Sequence, residues 1–319
     1  VKSFGRLSME VGITGWIVFN AAILCLLALD LGVAQRKAHA PSLREATLWS
    51  IVWIALGLGF GAFIYATSGA ESFQQYLAGY IIEKSLSVDN IFVFYVVFSY
   101  FNVPLRLRHK VLFFGILGAL IMRGLMIALG VFLIAKFHWI LYVFGILLIV
   151  TGIRMAFHRE ETLEVDELWI VRLVRRFIPL TEGWRNGRFF VKESGRWLAT
   201  PLLLVVAVIE ATDVVFAIDS IPAVFAVTRD PFIVYTSNVF AILGLRALFF
   251  LIAGIIPLFH YLKVALSFIL SFVGVKMLVA DTAWKIPTAV SLWVILLTLA
   301  VAVIASWLRA RMRKDAPPA

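Results

Sequence analysis

Glu83-Lys84-Ser85-Leu86-Ser87-Val88-Asp89-Asn90 stands inside one long apolar run, and Asp213-Val214-Val215-Phe216-Ala217-Ile218-Asp219-Ser220 stands inside another. The two stretches line up at an offset of 130, and each carries two acidic residues six positions apart. A carboxylate at the centre of a bilayer costs about 2.5–3.5 kcal/mol on insertion scales. Acids in such a place need a partner charge, a bound cation or a proton. The likeness continues downstream. Gly118 to Arg123 resembles Gly244-Leu245-Arg246, and Gly152-Ile153-Arg154-Met155 matches Gly274-Val275-Lys276-Met277.

Composition says what surrounds these stretches. The chain has 319 residues, of which 62% are hydrophobic and 15% charged. A soluble domain needs roughly a quarter of its residues charged to cover its exterior. A soluble enzyme, a disordered chain and a disulfide scaffold are thereby excluded. The single cysteine, Cys25, can form no internal bridge and no thiolate cluster. Apolar segments of about 20 residues read as spanning helices, and they fall at 10–31, 46–67, 75–101, 110–135, 138–157, 199–227, 233–256, 261–280 and 286–308. The first lacks a small-residue cleavage site and is followed by further spans, so it reads as a retained helix.

The predicted fold is therefore an all-α, polytopic membrane helix bundle of about nine spans. Two N-terminal spans occupy 1–67, repeat one 75–157, a linker 158–198, repeat two 199–280 and a final span 286–308, with a basic tail at 309–319. Three spans per repeat turn the two copies opposite ways across the bilayer, and such inverted repeats place a transport site between them near the midplane.

Loop charge orients the bundle. Arg36, Lys37 and Arg44, then Arg106, Arg108, His109 and Lys110, then the Arg-rich linker and the tail fall on one side of a nine-span chain. Basic loops stay in the cytoplasm, so the N-terminus is expected outside and the C-terminus inside. The net charge of +10 is thus a topology signal, not a nucleic-acid surface. In the linker, 163–177 reads as a basic amphipathic helix on the cytoplasmic face. Phe189 to Leu198 reads as a small hairpin.

The chemistry lies in Glu83, Asp89, Glu210, Asp213 and Asp219. On a helix Glu83, Ser87 and Asn90 share a face, as do Asp213 and Ser220, with Glu210 one turn earlier. Pro222 cannot donate to the Ile218 carbonyl, so a kink is expected beside Asp219. Asn90 and Asn238 add amide oxygens. These hard oxygen ligands suit manganese, magnesium or calcium. The histidines at 39, 109, 138, 158 and 260 lie away from the acids, which speaks against an imidazole-built zinc or copper site. Lys84, Arg123 and Arg246 also fall in apolar runs. Against five carboxylates they leave a formal −2, matching one divalent cation or two protons. They read as gating or charge-balancing residues, with a structural salt-bridge network as the alternative. Lys276 and Arg154 read as snorkelling residues near span ends, and Asp30 as a boundary residue.

Glu83-Lys-Ser-Leu-Ser-Val-Asp89-Asn90-Ile-Phe-Val, Phe98-Ser-Tyr-Phe-Asn-Val-Pro104 and Asp219-Ser-Ile-Pro-Ala-Val-Phe-Ala-Val-Thr resemble the TerC family, as do Ser237-Asn-Val-Phe-Ala-Ile-Leu-Gly-Leu-Arg246 and Gly274-Val-Lys-Met277. The long N-terminal pair of spans is similar to the Alx branch. The resemblance implies a bacterial inner-membrane protein that exports manganese, in a family first named for tellurium resistance. It implies a metal site at Glu83, Asp89, Glu210, Asp213 and Asp219.

No Gly-x-x-x-x-Gly-Lys-[Ser/Thr] run is present, which speaks against ATP hydrolysis by this chain. Moving a divalent cation out against an inside-negative potential costs about 4.6 kcal/mol per 100 mV, twice the single-charge value. Protons entering in exchange can supply that, and two per metal ion make the cycle electroneutral. The expectation is a non-enzymatic secondary transporter with manganese as substrate, protons as coupling ion and no organic cofactor. The alternative is a non-transporting membrane partner for protein assembly or metal loading. An intramembrane aspartyl protease at Asp89 and Asp219 lacks a Gly-x-Gly-Asp signature, and an acidic site suits tellurium oxyanions badly.

Overall fold

The computed structural model describes residues 11–35, 42–137, 139–157, 171, 179–181, 183–193, 195–252 and 261–314, without the side chains of 31–35, 89, 310 and 312–314. The described chain is built of helices: α1 (Ile13–Gln35), α2 (Leu43–Tyr100), α3 (Leu105–Lys136), α4 (Ile140–Phe157), α5 (Pro201–Phe225), α6 (Pro231–Ile242), α7 (Leu245–Ile252), α8 (Leu262–Leu278) and α9 (Thr288–Lys314). Among the described residues six helices, α1 to α5 and α9, are long and apolar enough to cross a membrane, and the bent pair α6–α7 makes a seventh candidate. The chain is a polytopic helical membrane protein.

Local sequence explains the ends and breaks. Ser42 and Glu45 form a capping box at the start of α2, the Ser42 hydroxyl accepting from Glu45 N and the Glu45 carboxylate accepting from Ser42 N. The 58 residues of α2 would reach about 87 Å at 1.5 Å per residue, close to three times a hydrocarbon core of about 30 Å. The helix breaks at Gly69, whose φ of 85° belongs to glycine. It yields α2a (43–68) and α2b (70–100), each long enough to span. Thr200 and Pro201 open α5. The Asp230 carboxylate accepts from Phe232 N and Ile233 N ahead of Pro231 to open α6.

Helix α3 shows how the lipid solvent inverts a familiar pattern. Ile121, Leu125, Leu129 and Phe132, at helical spacing, are more than half exposed. The opposite face buries Ile116, Ala119, Arg123 and Ile127. The apolar stripe faces outward and the arginine inward.

Two features differ from the sequence expectation. Helix α5 continues unbroken through Pro222 to Phe225. Pro222 sits in the last turn, where it removes one hydrogen bond without dividing the helix. The break falls instead inside the expected seventh span, at Gly244. There φ is 81° and α6 and α7 bend by 42°. Trp53 of α2a lies so close that a β-carbon at Gly244 would meet its Cβ and indole ring.

Helices α4 and α8 form the most extensive helix pair, and they pack through glycines. A β-carbon at Gly152 would come within 2.7 Å of the Ser267 carbonyl oxygen and 2.9 Å of the Ser271 nitrogen. One at Gly274 would come within 2.7 Å of the Gly145 carbonyl oxygen and 3.0 Å of the Ile149 nitrogen. Small residues at such seams let apolar helices approach backbone to backbone.

In the 158–198 connection, β1 (Phe190–Glu193) and β2 (Arg196–Ala199) form an antiparallel hairpin with Phe190 opposite Ala199. Lys110 ties the segment before it to α3, donating to the Gly187 carbonyl at 2.7 Å and lying over the Phe189 ring. The amphipathic helix expected at 163–177 lies, apart from Val171, outside the described residues.

Candidate ion site between four helices

The centre of the bundle holds one charged assembly contributed by α2b, α3, α5 and α6. The helical spacing of Glu83, Ser87 and Asn90 sets them on one buried face of α2b. Facing them, α5 buries Asp213 and Ser220, α3 buries Arg123 and α6 buries Asn238.

Arg123 links the two carboxylates. Its Nη1 donates to Glu83 Oε2 at 2.5 Å, its Nη2 to Asp213 Oδ1 at 3.0 Å and its Nε to Asp213 Oδ2 at 3.2 Å. The Asp213 contact is the bidentate fork that guanidinium geometry favours. Asn238 Nδ2 donates to Glu83 Oε1 at 2.7 Å, and its Oδ1 accepts from Arg123 at 3.4 Å. Asn90 Nδ2 donates to Asp213 Oδ1 at 3.3 Å. Arg123 is 3% exposed and Glu83 1%, so this pair is deeply desolvated, and losing one partner leaves an uncompensated charge.

Among the described residues, three oxygens beside this assembly have no donor. Both Glu210 carboxylate oxygens and Asn90 Oδ1 are buried with no hydrogen-bond partner there. Gly118 makes room for Glu210, since a β-carbon there would collide with the carboxylate. A small cavity borders the assembly, lined by Asn90, Asp213, Gly115, Ile209, Ile242 and Leu245 among others. Buried oxygens without donors attract a cation or a proton, because leaving them bare is costly.

The other candidates fall elsewhere. Asp219 accepts from the Thr151 hydroxyl at 3.0 Å. The side chain of Asp89 lies outside the described residues. Among those residues no three His, Cys, Asp or Glu side chains form a ready metal-holding group. Lys84 donates to the carbonyls of Ala241 and Leu243 at 3.1 and 3.4 Å, which cap the C-terminal end of α6 at its break. Arg246 does not reach the central acids. It pairs with Asp30 of α1 at 2.6 Å. Asp30 closes the candidate span Ile13–Asp30, as the span pattern suggested, and there it is also a buried partner of Arg246. Lys276 is likewise buried, and its Nζ has no partner among the described residues, unlike the exposed Arg154. Thr151 carried no signal in the sequence. Its role follows only from α4 lying against α5.

A family model described as "Integral membrane protein TerC family" matches residues 68–314. The chain is 51% identical over 303 residues to an uncharacterized membrane protein, STKORF319, of Myxococcus xanthus, with 95% of each chain covered. It is 46% identical over 310 residues to an Escherichia coli (strain K12) protein named as a membrane-bound redox modulator, Alx, with 94% of this chain and 96% of that one covered. A membrane protein of Rickettsia bellii is 41% identical over 294 residues, covering 92% of this chain and 97% of its own. No solved structure matches.

Proposed function

The chain belongs to the TerC family of integral membrane proteins, and from that premise we propose that it is a secondary transporter exporting divalent manganese from a bacterial cytoplasm in exchange for protons. One observation carries this. Glu83 and Asp213, which occupy equivalent places in the two similar stretches, converge on a single cationic group, the Arg123 guanidinium. Beside them the two Glu210 oxygens and Asn90 Oδ1 lack donors among the described residues. The site is built to hold positive charge. A metal ion entering it displaces Arg123 and takes carboxylate, amide and hydroxyl oxygens, the hard ligands that suit manganese. Protons compete for the same carboxylates, so metal and protons exclude each other, and two protons balance one ion.

The nine-span, inverted-repeat layout belongs to the same proposal. The break at Gly69 divides α2 into two spans, the bent pair α6–α7 supplies another, and the 17 residues of α8 supply the last. The α4–α8 seam supports the repeat. A shift of 122 positions carries the Gly152 contacts with residues 267 and 271 onto the Gly274 contacts with residues 145 and 149. Two copies related by a pseudo-two-fold axis give such a reciprocal pattern, and rocking one copy against the other alternates access. Loop charge puts the N-terminus outside and the C-terminus in the cytoplasm of an inner membrane. A redox effect like that in the name of the Escherichia coli relative would follow from manganese movement, since one cysteine forms no internal dithiol.

A second reading draws on Arg123 itself. All three guanidinium nitrogens are engaged, as in a structural brace, and the chain would then be a non-transporting partner for membrane-protein assembly or metal loading. Manganese-sensitive cells separate the two. Transport predicts that Glu83→Gln and Asp213→Asn reach the membrane at parental levels and lose manganese tolerance. Retained tolerance in both favours the structural brace.

A further inference from the structure

The broken helix α6–α7 is held at its corner by the N-terminal helices, and α1 lies outside the stretch that the family model matches. Arg246, in the first turn of α7, donates to the Asp30 carboxylate at 2.6 Å and to the Asp30 carbonyl at 3.3 Å. Trp53 of α2a covers Gly244 between the two helices. The same corner closes the cavity beside the central acids: Ile242 and Leu245, on either side of the break, line it together with Asn90 and Asp213.

We propose that the Asp30–Arg246 ion pair is a latch that holds the α6–α7 corner shut over this cavity, so that releasing it opens a path to Asp213. The Arg246–Asp30 pair differs from the central Arg123–Glu83 pair in the way a latch requires. The side chains of the central pair are 3% and 1% exposed, whereas those of Arg246 and Asp30 are 13% and 11% exposed. A partly solvated pair gives up less when it parts than a fully desolvated one. Gly244, with its positive φ, supplies the hinge. Asn238, which donates to Glu83, lies on the α6 side of that hinge, so movement of the corner also reaches the acid assembly. The latch depends on the transport proposal only for the purpose of the opening, not for the opening itself.

Thiol labelling of the purified full-length protein in liposomes tests it without manganese. Ile242 is 3% exposed, and Ile242→Cys in a Cys25→Ser background reports access to the cavity wall. Asp30→Asn and Arg246→Gln are each expected to raise its labelling rate by a soluble maleimide about tenfold, the change that 1.4 kcal/mol makes in an opening equilibrium. The exchange Asp30→Arg with Arg246→Asp is expected to return the rate toward the parent. Parental labelling in the single variants would overturn the latch, as would fast labelling in the charge exchange. If one single variant fails to insert, the other decides. Normal latch behaviour in a chain that moves no manganese would overturn the transport proposal alone.

Discussion

The α4–α8 seam and the Arg123 centre are both buried helix contacts, yet they are held by opposite means. The seam is made of glycines against backbone, and its contacts map onto one another by a single shift of 122 positions. The centre is made of charge and keeps no such symmetry. Arg123 joins Glu83 to Asp213, while Arg246, which resembles it in sequence, turns to Asp30. The Ser267 hydroxyl donates to the Gly152 carbonyl across the seam at 2.6 Å, but these contacts are uncharged, so sliding or rotation there exposes no charge. A polar centre changes only when some other positive group replaces the one it holds. The seam therefore suits a pivot, and the centre suits a binding site.

Substitutions on the two sides should sharpen that contrast. The largest effect is expected from Arg123→Ala, which strands two buried carboxylates and should cost about 3–5 kcal/mol. Thermal unfolding in detergent should show it, and adding Glu83→Gln should recover part of the loss. Gly152→Ala comes next, since its methyl meets the backbone of Ser267 and Ser271. Overpacking of this kind costs roughly 1–3 kcal/mol and should lower stability without changing metal selectivity.

How much of this was legible in the sequence differs by region. Charges inside apolar runs stand out, so Glu83, Asp213 and Arg123 could be named from position alone. The helical period placed Ser87 and Asn90 beside Glu83. The partner of Arg246 could not be found that way. Asp30 lies 216 residues away in sequence and sits where a helix end is expected, so its burial depends on how α1 packs. Pro222 drew attention as a helix breaker, but near the end of α5 it had little to break. Gly244 drew none as a hinge, because a glycine in an apolar run is usually tolerated. Its positive φ appears only with Trp53 packed against it.

Two smaller effects complete the comparison. Asn238→Ala removes the donor to Glu83 Oε1 and an acceptor for Arg123. A buried unsatisfied group costs about 1–3 kcal/mol, toward the low end here because Arg123 still holds Glu83. Unfolding should detect a loss smaller than that of Arg123→Ala, and manganese affinity should fall with it. Asp219→Asn keeps an oxygen for the Thr151 hydroxyl, so stability should change by less than about 1 kcal/mol. A manganese tolerance assay then reads any direct part of Asp219 in transport free of a folding defect.

In the proposed cycle metal and protons trade places on the Glu83–Asp213 site. Manganese flux in proteoliposomes, followed together with a pH-sensitive dye, tests it most directly. Exchange at this site requires manganese movement that is accelerated by an opposing pH gradient, carries protons the other way and vanishes in Asp213→Asn. Flux that moves no protons and ignores the gradient would contradict the exchange, and undiminished flux in Asp213→Asn would contradict the site.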